Sequence, residues 1–235
     1  MENLGWYVYV LFSATVILSA WLFIRATGYS KNVIIMISTW AVLQSALGLS
    51  GFYNQTVSMT TRFPLLVIPP ILFLASRFFT KQGKAFIDGL DLKKLTIFHI
   101  IRIPVEITLL LLFINKAIPE AMSFEGRNFD ILSGLSAPVI YYFAFVKGSL
   151  GKTTMIIWNI ACILLLLNVV TNAVLSLPGR YLQSGFDQPN IAVGFFPFLL
   201  LPALLVPLAL FSNAAAVRKL VLNKDLKLNH QKNEN

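Results

Sequence analysis

Apolar residues gather in seven long blocks, at 5–25, 32–51, 62–79, 95–115, 130–147, 153–175 and 193–213, and polar residues collect between them. Crossing about 30 Å of hydrocarbon takes about 20 mainly apolar residues in a helix. Each block therefore predicts a transmembrane helix, with 62–79 and 130–147 the shortest. The expected fold is all-α: a polytopic membrane protein with a seven-helix bundle over 1–218 and a polar tail over 219–235. The amino end lacks a basic leader segment and a small-residue cleavage site, and its apolar run is too long for a secretory signal, so 5–25 is read as the first span.

Composition supports the pattern. The chain is 57% hydrophobic and 12% charged, with a mean hydropathy of +0.73. Soluble domains carry about 25% charged residues. The net charge of +9 invites a nucleic-acid reading, but the distribution of the basic residues excludes it. Arg25, Lys31, Arg77, Lys81, Lys84, Lys93, Lys94, Lys147, Lys152, Arg218, Lys219, Lys224, Lys227 and Lys232 all fall on one side of an alternating seven-span path. The other side holds Arg62, Lys116, Arg127 and Arg180. Lysine and arginine concentrate on the cytoplasmic side of membrane proteins. The amino end is thus expected outside and the carboxyl end in the cytoplasm, and an even number of spans would break the bias.

Block 95–115 carries the most informative residues. His99, Arg102 and Glu106 interrupt it, and on an ideal helix they fall within an arc of roughly 60°. An ionised side chain near the bilayer centre costs about 2.5–3.5 kcal/mol on insertion scales. The shared face must then point at protein or trapped water. Glu106 lies four residues after Arg102, a spacing that permits a pair. Pro104 between them leaves the carbonyl of Ile100 without its helical donor and predicts a kink. Counted from Lys94, Glu106 lies roughly 18 Å into the membrane.

Other polar residues add to the picture. Asn159, Asn168 and Asn172 lie in block 153–175, and Gln44 and Ser45 in block 32–51; residues of these kinds commonly bond between membrane helices. "SFEGRNFDILSG" (123–134) brings Glu125, Arg127, Asn128 and Asp130 together, with Asp130 placed to cap the following helix. "GFDQPNIAV" (185–193) adds Asp187, Gln188 and Asn190 on the same side. The two segments could form an outer vestibule above Glu106, or simply cap the loops. Pro197, Pro202 and Pro207 predict a broken last span with free carbonyls at Val193, Phe198 and Ala203. "QGKAFIDGLDLKK" (82–94) is either a short helix on the cytoplasmic surface or a solvated loop. "NQT" (54–56) matches a glycosylation sequon on the outer side. The single cysteine, Cys162, lies in an apolar run and reads as a small buried residue.

With "FPFLLLP", the two loop segments resemble uncharacterised multi-pass membrane proteins of Bacteroidota-type bacteria, over residues 124–212. The resemblance implies a bacterial inner (cytoplasmic) membrane and brings no known activity. Three other identities fail on their residues. "GSLGKTT" (148–154) has Val146 where a phosphate-binding loop needs glycine. The last span has no lysine for a retinal Schiff base, and two histidines cannot supply a ceramidase-like zinc site.

The leading functional expectation is a sensor or carrier whose partners are the bilayer and a small molecule or ion. Its site would use His99, Arg102, Glu106, Asn168 and Asn172, with Arg127, Asp130 and Asp187 at the entrance. The first alternative is a membrane-embedded enzyme on a lipid or isoprenoid, with Glu106 as acid or base and His99 as its partner. The second is a structural or assembly subunit in which the cluster only fixes packing. The sequence assigns no cofactor and no nucleic-acid partner.

Overall fold

The computed structural model describes residues 4–54, 61–178 and 186–222, and these are helical without strands. Five helices are long and apolar enough to cross a membrane: α1 (Trp6–Ala26), α2 (Lys31–Leu49), α5 (Leu92–Ile114), α7 (Lys152–Leu175) and α8 (Leu201–Val221). Two shorter apolar helices complete the body. They are α3 (Pro64–Ser76), bent by 89° from α4 (Lys81–Asp88), and α6 (Ile131–Val146). The glutamine and threonine of the sequon, Arg180 and the tail from 223 onward lie outside the described residues.

Helix α8 is the centre of the bundle. In its apolar window 67% of residues are buried, against 22% for α2, and it packs on α7, α5 and α3. Around Phe211 of α8 gather Phe23, Phe78 and Phe86, with ring centroids 6.0, 5.6 and 6.4 Å away. The outward faces are apolar too. On α6 the exposed residues are Leu132, Leu135, Val139, Tyr142, Phe143 and Val146, an apolar stripe along the whole element. Such a continuous apolar stripe suits lipid.

Several boundaries differ from expectation. The last span begins at Leu201 rather than 193 and runs to Val221. Residues 193–200 instead form a 3₁₀ turn and an irregular segment with a cis Phe196–Pro197 bond. Their hydropathy reflects burial, not helix: Phe198 packs 5.3 Å from both Tyr9 and Phe12. Pro202 and Pro207 sit at the starts of the π and α portions of α8. The helical body therefore extends past 218, and Lys219 belongs to it rather than to the tail. Segment 81–88 is a short helix, capped by Thr80, whose hydroxyl accepts from the Gly83 amide at 3.1 Å. Gly83 permits the bend: a Cβ there would lie 2.3 Å from the Arg77 carbonyl oxygen.

Contacts gather the ends of the helices into two groups. At one end the Asp91 amide donates to the Ala26 carbonyl at 3.0 Å. Lys219 donates to the carbonyls of Asp88 and Leu90, Arg218 lies 3.4 Å from Asp88, and Lys152 reaches the Val221 carbonyl at 3.4 Å. At the other end the amides of Ile191 and Ala192 donate to the Ala117 carbonyl at 3.0 and 3.1 Å, and the Asn190 amide donates to the Ser176 carbonyl at 2.8 Å. The basic loops thus cluster together, opposite the acidic ones.

Candidate functional site

The interruption in α5 is a local consequence of Pro104. The helix tightens into a 3₁₀ turn at His99–Ile101, just where the missing proline N–H leaves the Ile100 carbonyl unserved. Within that turn and in the helix that follows it, the three ionisable side chains face inward. His99 is 0%, Arg102 3% and Glu106 1% exposed.

Their partners differ from the expected Arg102–Glu106 pair. Arg102 Nη1 donates to Asp130 Oδ1 in an ion pair buried at both ends. Asp130 is 4% exposed. It begins α6, yet its carboxylate does not cap that helix; it turns inward, where the Ser133 hydroxyl also donates to it at 3.1 Å. Glu106 Oε2 accepts from Asn128 Nδ2 at 2.7 Å. The same Asn128 amide donates to the Met122 carbonyl at 2.9 Å, and its Oδ1 accepts from the Asp130 amide at 2.9 Å. Asn128 therefore ties the Glu106 carboxylate to the backbone of Asp130 and roofs the cluster with the α5–α6 loop. Glu106 is eight residues from Ile114, or roughly 12 Å below the end of α5.

Helices α5 and α6 approach closely enough to make this geometry possible. Ser133, Gly134 and Ala137 form the buried face of α6. A Cβ on Gly134 would lie 3.0 Å from the Ile103 amide nitrogen and 3.2 Å from Arg102 Cβ. Small residues at such positions let membrane helices meet backbone to backbone.

The eight sequence-derived site residues fall into two groups. His99, Arg102, Glu106 and Asp130 form the cluster just described. Asn168, Asn172, Arg127 and Asp187 serve the loops. Asn168 Nδ2 donates to the Arg127 carbonyl at 2.6 Å; Asn172 donates within its own helix to the Asn168 carbonyl at 3.0 Å. Asp187 accepts from the Glu120 amide at 3.1 Å, at the surface. Asn159 likewise bonds inside α7, to the Met155 carbonyl at 2.8 Å, and Gln44 accepts from the Tyr53 hydroxyl at 2.9 Å. Where a vestibule was expected, Ile118, Met122, Ser123 and Asn128 are buried. One expected free carbonyl is present and used: Trp40 Nε1 donates to Ala203 at 2.8 Å, replacing the N–H that Pro207 lacks.

Sequence reasoning missed the roles of Asn128 and Ser133. Asn128 had a signal, its place in the dense "EGRNFD" run; Ser133 had only its position three residues after Asp130. Trp158 was also unflagged. Its ring meets His99 edge-on at 5.6 Å, while its Nε1 donates to Ser136 at 2.9 Å.

The cluster leaves donors unused. Arg102 Nε and Nη2 and both ring nitrogens of His99 are buried without a hydrogen-bond partner in the protein. His99 and Glu106 do not bond to each other. A search of protein-family models, of curated proteins and of solved structures finds no match to this chain, so the geometry alone must carry the functional reading.

Proposed function

We propose that this chain is a seven-span protein of a bacterial cytoplasmic membrane, amino end outside, whose buried cluster binds a small acceptor-bearing ligand or ion as a sensor or carrier. The span count is supported by the apolar outward stripe on α6 and by exposed Leu65, Ile68 and Leu72 on α3. With both helices crossing, every loop falls on the side its charge requires. The orientation rests on the bias of lysine and arginine, and the bacterial source on the loop resemblance.

The ligand reading rests on one observation: the unused nitrogens of Arg102 and His99. A buried donor left unmade costs about 1–3 kcal/mol, more when charged. Arg102 spends one nitrogen on Asp130 and has two more N–H-bearing nitrogens, Nε and Nη2, in the same rigid fork. A carboxylate, a small inorganic anion or a neutral carbonyl compound would satisfy them, with His99 as a second contact. The enzyme alternative draws less support, because its proposed acid–base partners are bonded elsewhere or not at all. The structural alternative is favoured by the close approach at Gly134, and the pair can fix the register of α5 and α6 while still holding a ligand.

The test is thermal unfolding of the purified protein titrated with chloride, acetate, phosphate and acetamide. A ligand at 100 times its Kd stabilises by about 2.7 kcal/mol. At least one probe is expected to raise Tm for wild type and to lose that effect in Arg102→Gln and His99→Phe. No stabilisation of wild type, or stabilisation unchanged in both variants, would defeat the reading.

A further inference from the structure

A cleft runs along the outer face of the bundle between α2, α3 and α8. Its apolar part, of about 560 Å³, is lined by Trp40, Leu43, Pro69, Pro70, Ala203 and Pro207 among others. A second space of about 290 Å³ continues it toward the α3–α4 bend, lined by Ser30, Asn32 and Arg77. The two share Met36, Phe73 and Leu74. The cleft exists because α2 stands away from the body. It is the least buried of the five long helices, tied across to α8 by the Trp40–Ala203 bond.

The two ends differ in chemistry. The apolar end offers aliphatic and aromatic walls. The other end offers Arg77, whose guanidinium lies 4.2 Å from the Phe73 ring and has no acidic partner among the described residues. Lys31, Lys81 and Lys84 are exposed at the same end. The dimensions fit one leaflet. From Asn32 to Leu43 along α2 is roughly 17 Å, about half of a 30 Å hydrocarbon core. An arginine at the interface with an apolar channel running inward from it matches an anionic headgroup and its tail.

We propose that this cleft binds a phospholipid of net negative charge, with its anionic head at Arg77 and one hydrocarbon tail along Trp40 and the Pro69–Pro70 wall. The site needs the chain to be membrane-embedded but not the Arg102 cluster, so failure of one leaves the other standing. Lipid retention is measured by native mass spectrometry after reconstitution in vesicles of equal phosphatidylglycerol and phosphatidylcholine with identical chains. Wild type is expected to retain phosphatidylglycerol about fivefold over phosphatidylcholine, the effect of one well-placed cation near the surface. Arg77→Gln should erase that preference and Arg77→Lys should keep it. Thr39 also lines the apolar part, and Thr39→Trp, which adds bulk there, should lower retention of both lipids. Excess inorganic phosphate should leave the lipid in place. Equal retention by wild type, a preference surviving in Arg77→Gln, retention unchanged in Thr39→Trp, or displacement by phosphate alone would each overturn the proposal. Unchanged Tm in the Arg77 variants shows that their folding is intact.

Discussion

Removing either member of the Arg102–Asp130 pair should be far worse than removing both. The two groups are 3% and 4% exposed, so neither can recruit bulk water when left alone. Asp130 without Arg102 keeps the Ser133 hydroxyl and the Asn128-held backbone around it. Arg102 without Asp130 keeps no hydrogen bond, because Nε and Nη2 are already unpartnered and Nη1 loses its only acceptor. Breaking a buried pair typically costs about 3–5 kcal/mol, while replacing both members by apolar groups is often neutral or stabilising. Arg102→Met is placed at the lower end of that range and Asp130→Leu at the upper end. For a protein of this size, each 1 kcal/mol moves Tm by roughly 2–4 °C. The single variants should therefore lose roughly 6–12 °C and 10–20 °C in detergent, while the double variant recovers to within a few degrees of wild type. Equilibrium unfolding in mixed micelles gives the coupling energy from the four proteins. Single losses below about 1 kcal/mol, the scale of an exposed pair, would refute the reasoning. So would a double variant whose loss equals the sum of the singles, or a larger loss for Arg102→Met than for Asp130→Leu.

Three further outcomes are expected. Gly134→Ala should destabilise by about 1–3 kcal/mol, the range for overpacking, because its Cβ meets the Ile103 amide nitrogen at 3.0 Å and that backbone atom cannot swing aside; thermal unfolding reads it directly. Trp40→Phe removes the donor to the Ala203 carbonyl and should cost about 0.6–1.7 kcal/mol, from the average to the maximum measured for hydrogen bonds between membrane helices, again read as Tm. In a Cys162→Ala background, Asp187→Cys should react with a membrane-impermeant maleimide in intact cells and Lys93→Cys only after lysis; the reverse pattern would invert the proposed topology.

The apolar blocks alone determined the helical class and the approximate place of the five helices long and apolar enough to cross a membrane, because hydropathy acts locally and a span's length is fixed by bilayer thickness. They also determined that His99, Arg102 and Glu106 face inward, since charge in hydrocarbon has no cheaper arrangement. Partner choice was decided by tertiary structure. Arg102 takes Asp130 rather than Glu106 because Gly134 brings α6 within backbone contact of α5, and Glu106 takes Asn128 because the loop folds down over it. The start of the last helix was decided in the same way. Residues 193–200 are apolar enough to read as the start of a span, yet Phe198 satisfies that hydrophobicity by packing on Tyr9 and Phe12, and burial carries no record of the backbone that achieves it. Lys219 shows the converse: a lysine that reads as tail from its neighbours is buried because the carbonyls of Asp88 and Leu90, some 130 residues earlier, wait for it.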